Sequence, residues 1–332
     1  MKSPITGKEM ILVKEKRMLS FRKEEFEIVY HCLKCEDSGE SFTTTQLDEL
    51  NLNQLYNQYR AKNNLPFPDQ IKMIRKKYGL AASKMSEVLG FGINSYRNYE
   101  ADEIPSLSNA RLIQAANDPR EFKKLVMISK AFEGKSLDNV LQRIDQLIHD
   151  QKMNRFKTDL ENYFLGAQLP DSYTGYRLPD LEIFTEMVVF FTERMQPFKT
   201  KLNKLLFYAD FTMFNKWGMS ISGMKYRAIE WGPVPHNYEG VFEYLANKDD
   251  VDIFHTAFAN GSCGNQFKPN SKHQFNAALF KPEELKVLEE ITTRFKDTSI
   301  EAIIDISHLE KAWIENEKGR KIIDYNYGFE LN

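Results

Sequence analysis

The spacing of apolar residues divides the chain into a β-rich start, a helical middle and a second helical region richer in large side chains. Apolar and polar residues alternate in strand fashion at Met10 to Val13, Phe26 to Tyr30 and Ser41 to Thr45. Thr45 to Asn64 reads as a helix facing a core with Leu47, Leu50, Leu55 and Tyr59, capped by Thr45 or Asp48. Pro66 and Pro68 break it. Asp69 opens a helix to Tyr78 with Ile71 and Ile74 inward and Lys72, Arg75, Lys76 and Lys77 outward. Leu80, Met85, Val88 and Leu89 keep helical spacing up to Gly90, where the chain needs a turn. Asn94 to Glu100 restarts a short helix in which Tyr96 and Tyr99 can pack inward while Asn94, Ser95, Arg97 and Asn98 point away. Pro105 disfavours helix at Ile104 and closes this unit.

Beyond it, Ser106 caps a helix carrying Leu107, Ala110, Leu112 and Ile113, and Glu121 to Phe132 forms another. Ser136 to Asn154 has an apolar stripe (Leu137, Val140, Leu141, Ile144, Leu147, Ile148) suited to the next domain or to a copy of itself. Leu169 to Pro179 is turn-rich and marks a boundary. Phe184, Met187, Val188, Phe191 and Met195 then predict a buried helix. Leu202, Leu205, Leu206 and Ala209, flanked by Phe207 and Tyr208, predict a second one covered on more than one side. Met224 to Glu230 alternates like a strand, His236 to Leu245 reads as helix, and Ser262-Cys263-Gly264 as a polar loop. The fold class expected is mainly α with small β elements, in segments 1–45, 46–132, 133–178 and 179–332.

Composition narrows the choice of partner. The chain has 332 residues, 42% hydrophobic and 28% charged, with a net charge of -2, so it is no general polyanion binder. Pro68 to Lys130 holds eleven Lys/Arg against seven Asp/Glu, an excess of +4. The remainder therefore carries -2 - 4 = -6, which suits a protein partner better than a second nucleic-acid site. Cys32, Cys35 and Cys263 cannot build a disulfide framework, which points to a reducing cytoplasm. No signal-peptide core and no run of about 18 apolar residues occurs, so no membrane partner is expected.

Helix, Gly-bearing turn and polar second helix is the layout of a helix-turn-helix, whose second helix offers residues to base edges in the major groove. Arg pairs bidentately with guanine and Asn with adenine, so Asn94, Ser95, Arg97 and Asn98 are the base-reading candidates, and Lys84 a backbone contact. A plain helical hairpin with a solvated polar face has the same spacing. Leu80 to Pro105 resembles the Xre/Cro-type helix-turn-helix family, whose pattern ends in an aromatic, Glu, a spacer and Pro: here Tyr99-Glu100, Ala101 to Ile104, Pro105. Ala101 stands where the family usually has Gly.

His31-Cys32-Leu33-Lys34-Cys35 contains a Cys-x-x-Cys, but a structural zinc needs four thiolate or imidazole ligands. Ser3-Pro4-Ile5-Thr6-Gly7 resembles the Cys-Pro-x-Cys-Gly knuckle of the zinc ribbon in MqsA-type antitoxins, with both cysteines replaced by hydroxyl residues. Half the coordination is gone, so Cys32 and Cys35 form a half-retained knuckle, and no metal or other cofactor is expected. Ribbon, linker helix and helix-turn-helix follow the MqsA-like order over about residues 1 to 130.

LNKLLFYADF at 202–211, WGPVP at 231–235, Ser307-His308 with Trp313, and Ile322-Ile323-Asp324-Tyr325 together resemble the Panacea, or SocA-like, domain over about residues 175 to 330. That resemblance implies a mainly helical module that binds and neutralises a toxin. Enzyme readings find little support. His236, Glu239 and His308 lack a supporting motif, Cys263 lacks a recognisable base, and Asp210 reads as a core or interface hydrogen-bonding residue, so no catalytic residue is assigned. The expectation is an antitoxin that acts as a homodimer on operator DNA and sequesters a cognate toxin. The alternative is a stand-alone transcription regulator or proteolytic adaptor.

Overall fold

A computed structural model describes residues 1–153, 155–166, 169–257 and 263–332. Strand β1 (Ile11–Phe21) pairs antiparallel with β2 (Glu24–Lys34) over their full lengths, Phe21 opposite Glu24. The turn between them, Arg22-Lys23, takes positive φ at both residues (48° and 69°), as a two-residue hairpin requires. These strands outrun the short ones expected at Met10 to Val13 and Phe26 to Tyr30. Most of β1 is exposed, so its charged run Lys14 to Arg17 shows no apolar period. Strand β3 (Ser41–Phe42) extends the sheet at Leu33 and Lys34.

Helix α1 (Thr45–Lys62) is capped by Thr44, whose hydroxyl accepts from the Leu47 N–H at 3.2 Å. Thr45 and Asp48, the expected caps, already lie inside the helix. Two of its amides cover the second edge of β2. Asn51 exchanges hydrogen bonds of 2.8 and 3.0 Å with the His31 backbone, and Gln54 bonds of 2.9 and 2.8 Å with that of Val29. Each amide mimics a neighbouring strand and satisfies an otherwise open edge.

The chain continues through α2 (Pro68–Tyr78), α3 (Ala82–Val88), α4 (Ser95–Glu100), α5 (Leu107–Ala115), α6 (Pro119–Ser129), α7 (Gly134–Met153) and α8 (Arg155–Leu165). It folds as two compact units, one of Met1–Leu55 with Tyr163–Asn332, the other Tyr56–Asn162. In the latter, Ile71, Met85, Tyr96, Ile113, Phe122 and Ile144 are fully buried in one core. Tyr78 stacks on Phe122 at 3.9 Å, and the Tyr96 hydroxyl donates to the Ile71 carbonyl at 2.8 Å. Ser106 caps α5 as expected. Helix α6 spans Pro119–Ser129, not Glu121 to Phe132, because Asp118 caps it with Pro119 at its first position and Lys130 turns left-handed (φ 54°). The stripe of α7, expected to meet the next domain or a copy of itself, packs on α2 and α6 in its own unit's core. Asn154, the expected end of this helix, lies outside the described residues.

In the larger unit, α9 (Leu181–Met195) is buried from Ile183 to Thr192 and α10 (Lys199–Trp217) from Leu202 to Phe214. β4 (Tyr226–Ile229) and β5 (Gly232–Pro235) form a tight hairpin, followed by α11 (Tyr238–Asn247). The hairpin of β6 (Val251–Ala257) and β7 (Cys263–Pro269) replaces the expected polar loop, with Cys263 and Gly264 opening β7 and Ser262 outside the described residues. α12 (Pro282–Phe295), α13 (Ile300–His308) and α14 (Lys311–Ile314) follow, and β8 (Ile322–Ile323) joins β4 before a final 3-10 turn at Tyr325–Glu330. Helices α9, α12 and α13, β5 and that turn enclose α10. The fold is mainly α with small antiparallel sheets, as the sequence implies.

Candidate functional site

The turn between α3 and α4 is organised by Gly90, at φ 70°, and by the buried Ser86, whose hydroxyl accepts from the Tyr96 N–H at 3.1 Å. That bond seats the start of α4 on α3, with Tyr96 and Tyr99 turned into the core. Asn94, Arg97 and Asn98 are exposed and Ser95 is half-buried. The structure thus gathers the four residues expected to read bases on one short helix and its cap. Asn94 spends no side-chain bond on capping. Lys84 is differently engaged: it pairs with Glu87 (2.7 Å), donates to the Ala131 carbonyl (3.0 Å) and lies over the Phe132 ring.

Two of the four cations expected to point freely outward from α2 are also tied down. Arg75 grips Glu100 through two bonds of 2.6 and 3.1 Å and donates to the Leu80 carbonyl, fixing α2 against the end of α4. Lys77 bonds the Asn117 carbonyl and side chain at 2.8 and 2.6 Å. Lys72 and Lys76 remain exposed.

At the N-terminus, the hydroxyls of Ser3 and Thr6 gather around Cys35. Ser3 accepts from the Ile5 and Thr6 N–H groups, and Thr6 Oγ1 lies 3.2 Å from Cys35 Sγ. Hydrogen bonds from Ser38, Thr6 and Ser3 hold the Cys35 thiol low, at about 6. Burial pushes the His31 imidazole down to about 4, keeping it neutral, and Nδ1 lies 2.7 Å from the Val29 carbonyl. Among the described residues no group of three or more His, Cys, Asp or Glu is placed to hold a metal ion.

In the larger unit Asp210 sits fully buried in α10 and accepts four hydrogen bonds: from the Ile221 and Ser222 N–H groups (2.8 Å each), the Ser222 hydroxyl (2.5 Å) and the Tyr226 hydroxyl (2.7 Å). Burial still raises its pKa. The acid is the core hydrogen-bonding residue the sequence suggests. Lys204, one helical face away, is also fully buried; its amine donates to the Pro233 carbonyl at 3.1 Å, and burial lowers it to about 7. Nothing in the sequence distinguished this lysine from the helix-surface lysines around it.

His236 and Glu239 line a cleft of about 350 Å³ with Arg227 and Tyr238. Burial first, then the positive charges of Arg227 and Lys225, lowers the His236 pKa. His308 does not join them: it stacks on Trp313 at 3.9 Å, and its Nε2 is buried without a hydrogen-bond partner among the described residues. The Trp313 indole donates to the Ile229 carbonyl at 2.7 Å, which sets this stacked pair beside the β4–β5 hairpin.

Residues 202–314 match the family described as antitoxin SocA-like, Panacea domain. The match begins in α10 at Leu202 and ends in α14 at Ile314, so it contains Lys204, Asp210, the β4–β5 hairpin and the His308–Trp313 pair. Similarity to this family suggests the role of an antitoxin in a toxin–antitoxin pair. No curated protein matches the chain. No helix among the described residues is long and apolar enough to cross a membrane.

Proposed function

We propose that this protein is the antitoxin of a type II toxin–antitoxin pair, acting in the cytoplasm. Its 179–332 region neutralises a cognate toxin by stoichiometric burial of toxin surface, without catalysis. Its helix-turn-helix binds operator DNA as a homodimer and represses the operon, with Asn94, Ser95, Arg97 and Asn98 reading bases. Lys84 contacts the backbone once it exchanges Glu87 for a phosphate.

The observation that carries this reading is the Panacea match over residues 202–314. The exposed polar face of α4 over its two buried tyrosines supports the DNA-binding part. The Ser3, Thr6 and Cys35 knuckle supports kinship of the N-terminal half with MqsA-like ribbons that have lost their metal. The three free cysteines fit a reducing compartment.

A growth test decides it: the short gene beside this one is expressed with and without the full chain. Arrest that the full chain relieves is the expected result. No arrest, or arrest the chain cannot relieve, overturns the antitoxin role and leaves the regulator or adaptor.

A further inference from the structure

We infer that Ile93 reads a thymine through its 5-methyl group and so extends the base-reading face one residue ahead of Asn94; this rests on the DNA-binding reading above. The backbone places it there. The Ser95 N–H donates to the Gly92 carbonyl at 2.9 Å, so Gly92 to Ser95 form a β-turn that runs straight into α4. Asn94, at φ -100° and ψ -8°, has the values of the third residue of a type I turn, in which the second residue, Ile93, is itself helical. The Asn98 N–H then donates to the Asn94 carbonyl at 3.0 Å. Ile93 and Arg97 are therefore four residues apart on one helical face, and Asn94 and Asn98 lie beside them at the same spacing.

The fold itself makes little use of this side chain. Phe91, two residues earlier, packs against the core of its unit and meets Tyr99 edge-on at 6.0 Å. Ile93 turns the other way and is 75% exposed. Gly92, Asn94 and Ser95 suit a turn, whereas isoleucine brings nothing to one. A lone exposed isoleucine is ordinary on a protein surface. This one stands in a strip with Asn94, Arg97 and Asn98, and meets whatever they meet.

The chemistry of the side chain then names the group it reads. Isoleucine has neither donor nor acceptor, so it gains nothing from the polar base edges that asparagine and arginine read. The 5-methyl of thymine is the apolar group that the major groove displays, and an aliphatic side chain against it removes both from water. Burial of one methyl corresponds to about fourfold in affinity.

The test needs no operator known beforehand. The full chain selects a duplex from a random-sequence pool, and each thymidine of that duplex is replaced in turn by deoxyuridine. This removes the methyl and leaves the base's hydrogen-bonding groups in place. One replacement in each half-site is expected to weaken binding about fourfold, read by anisotropy. Ile93→Ala is expected to weaken binding of the selected duplex by a similar factor, with an unchanged melting temperature, and to abolish the response to that replacement. Ile93→Val should keep part of the response. If no replacement changes binding of the unaltered chain, or if Ile93→Ala leaves the response intact, Ile93 is not the reader, while the selected duplex keeps the DNA-binding reading standing. Failure of the full chain to select any sequence overturns the DNA-binding reading and Ile93 with it.

Discussion

Arg97 and Lys204 are both cations on helices, and their surroundings give them opposite tasks. Arg97 stands exposed on α4 while its neighbours Tyr96 and Tyr99 anchor the helix. Arg97→Ala should cost about 1–3 kcal/mol of discrimination between operator and scrambled DNA and leave non-specific binding nearly intact. Anisotropy titrations against both duplexes check this, and unchanged discrimination would remove Arg97 from the reading set. Lys204 is held at about 7 by burial against an ordinary 10.5. The folded chain therefore binds this proton more weakly than the unfolded chain. The penalty is complete below about pH 7 and fades as the pH rises toward 10.5. Lys204→Met should raise stability at pH 7 by roughly 1–4 kcal/mol, net of the lost Pro233 bond, with the advantage shrinking by pH 9.5. Urea denaturation at the two pH values tests it, and a variant no more stable at pH 7 would contradict the account. The sequence made the two tyrosines and Asp210 legible because each breaks a local pattern. Lys204 broke none: it sits among Lys199, Lys201 and Asn203 like any surface residue, and only enclosure of α10 on every side buries it.

Among the elements, the segment after the β6–β7 hairpin is fixed by one imidazole. His273 places Nδ1 2.7 Å from an Asp250 oxygen and Nε2 2.8 Å from a Glu186 oxygen, which ties it to α9. Two carboxylates at both ring nitrogens call for a doubly protonated ring. Burial alone would lower its pKa, but the bonds to Glu186 and Asp250 outweigh burial and raise it. The clamp is therefore fully present below the ordinary histidine value near 6.5 and is lost as the pH rises through the raised one. Lys272 and Asp249 pair beside it at 2.7 Å. His273→Gln should lose about 2 kcal/mol relative to the unaltered chain at pH 6 and much less at pH 8.5. A thermal-melt difference that is equal at both pH values would show that the ring acts only by packing. Local patterning showed α2, α5, α9 and α10 well, since each carries a cap, a breaker or a dense apolar face. It missed the length of β1, where charges cover both faces, and the β6–β7 hairpin, whose short strands are largely polar. The α7 stripe was visible, but periodicity names a buried face and not the surface that covers it.

At the scale of the whole molecule, the first 55 residues belong to the same compact unit as the Panacea-like region, although some 300 residues separate their contacts in places. Lys14 Nζ donates to the Phe329 carbonyl at 2.6 Å across 315 positions, and the His31 ring meets Phe329 edge-on at 5.1 Å. Asn53 donates to the Trp217 carbonyl at 3.1 Å, next to Gly218, where a Cβ would lie 3.3 Å from Asn53 Cβ. These contacts cap the C-terminal end of α10 and the last turn of the chain. No composition shift or motif announces them, because each element satisfies its own local pattern equally well alone. The consequence is an asymmetry between the two units. Tyr56–Asn162 is one continuous stretch with its own core, so it should unfold cooperatively when expressed alone. Residues 163–332 alone leave Phe329 and the Trp217 carbonyl uncovered, and should melt several degrees below the full chain or aggregate. A separately expressed peptide of residues 1–55 should restore that loss, as measured by the melting temperature of the mixture. If residues 163–332 melt like the full chain and ignore the peptide, the N-terminal hairpin is an accessory and not part of this unit. If the peptide restores them, a truncation at residue 179 that fails to relieve growth arrest reports a destabilised fold. The neutralising surface must then be tested by point substitution in the full chain.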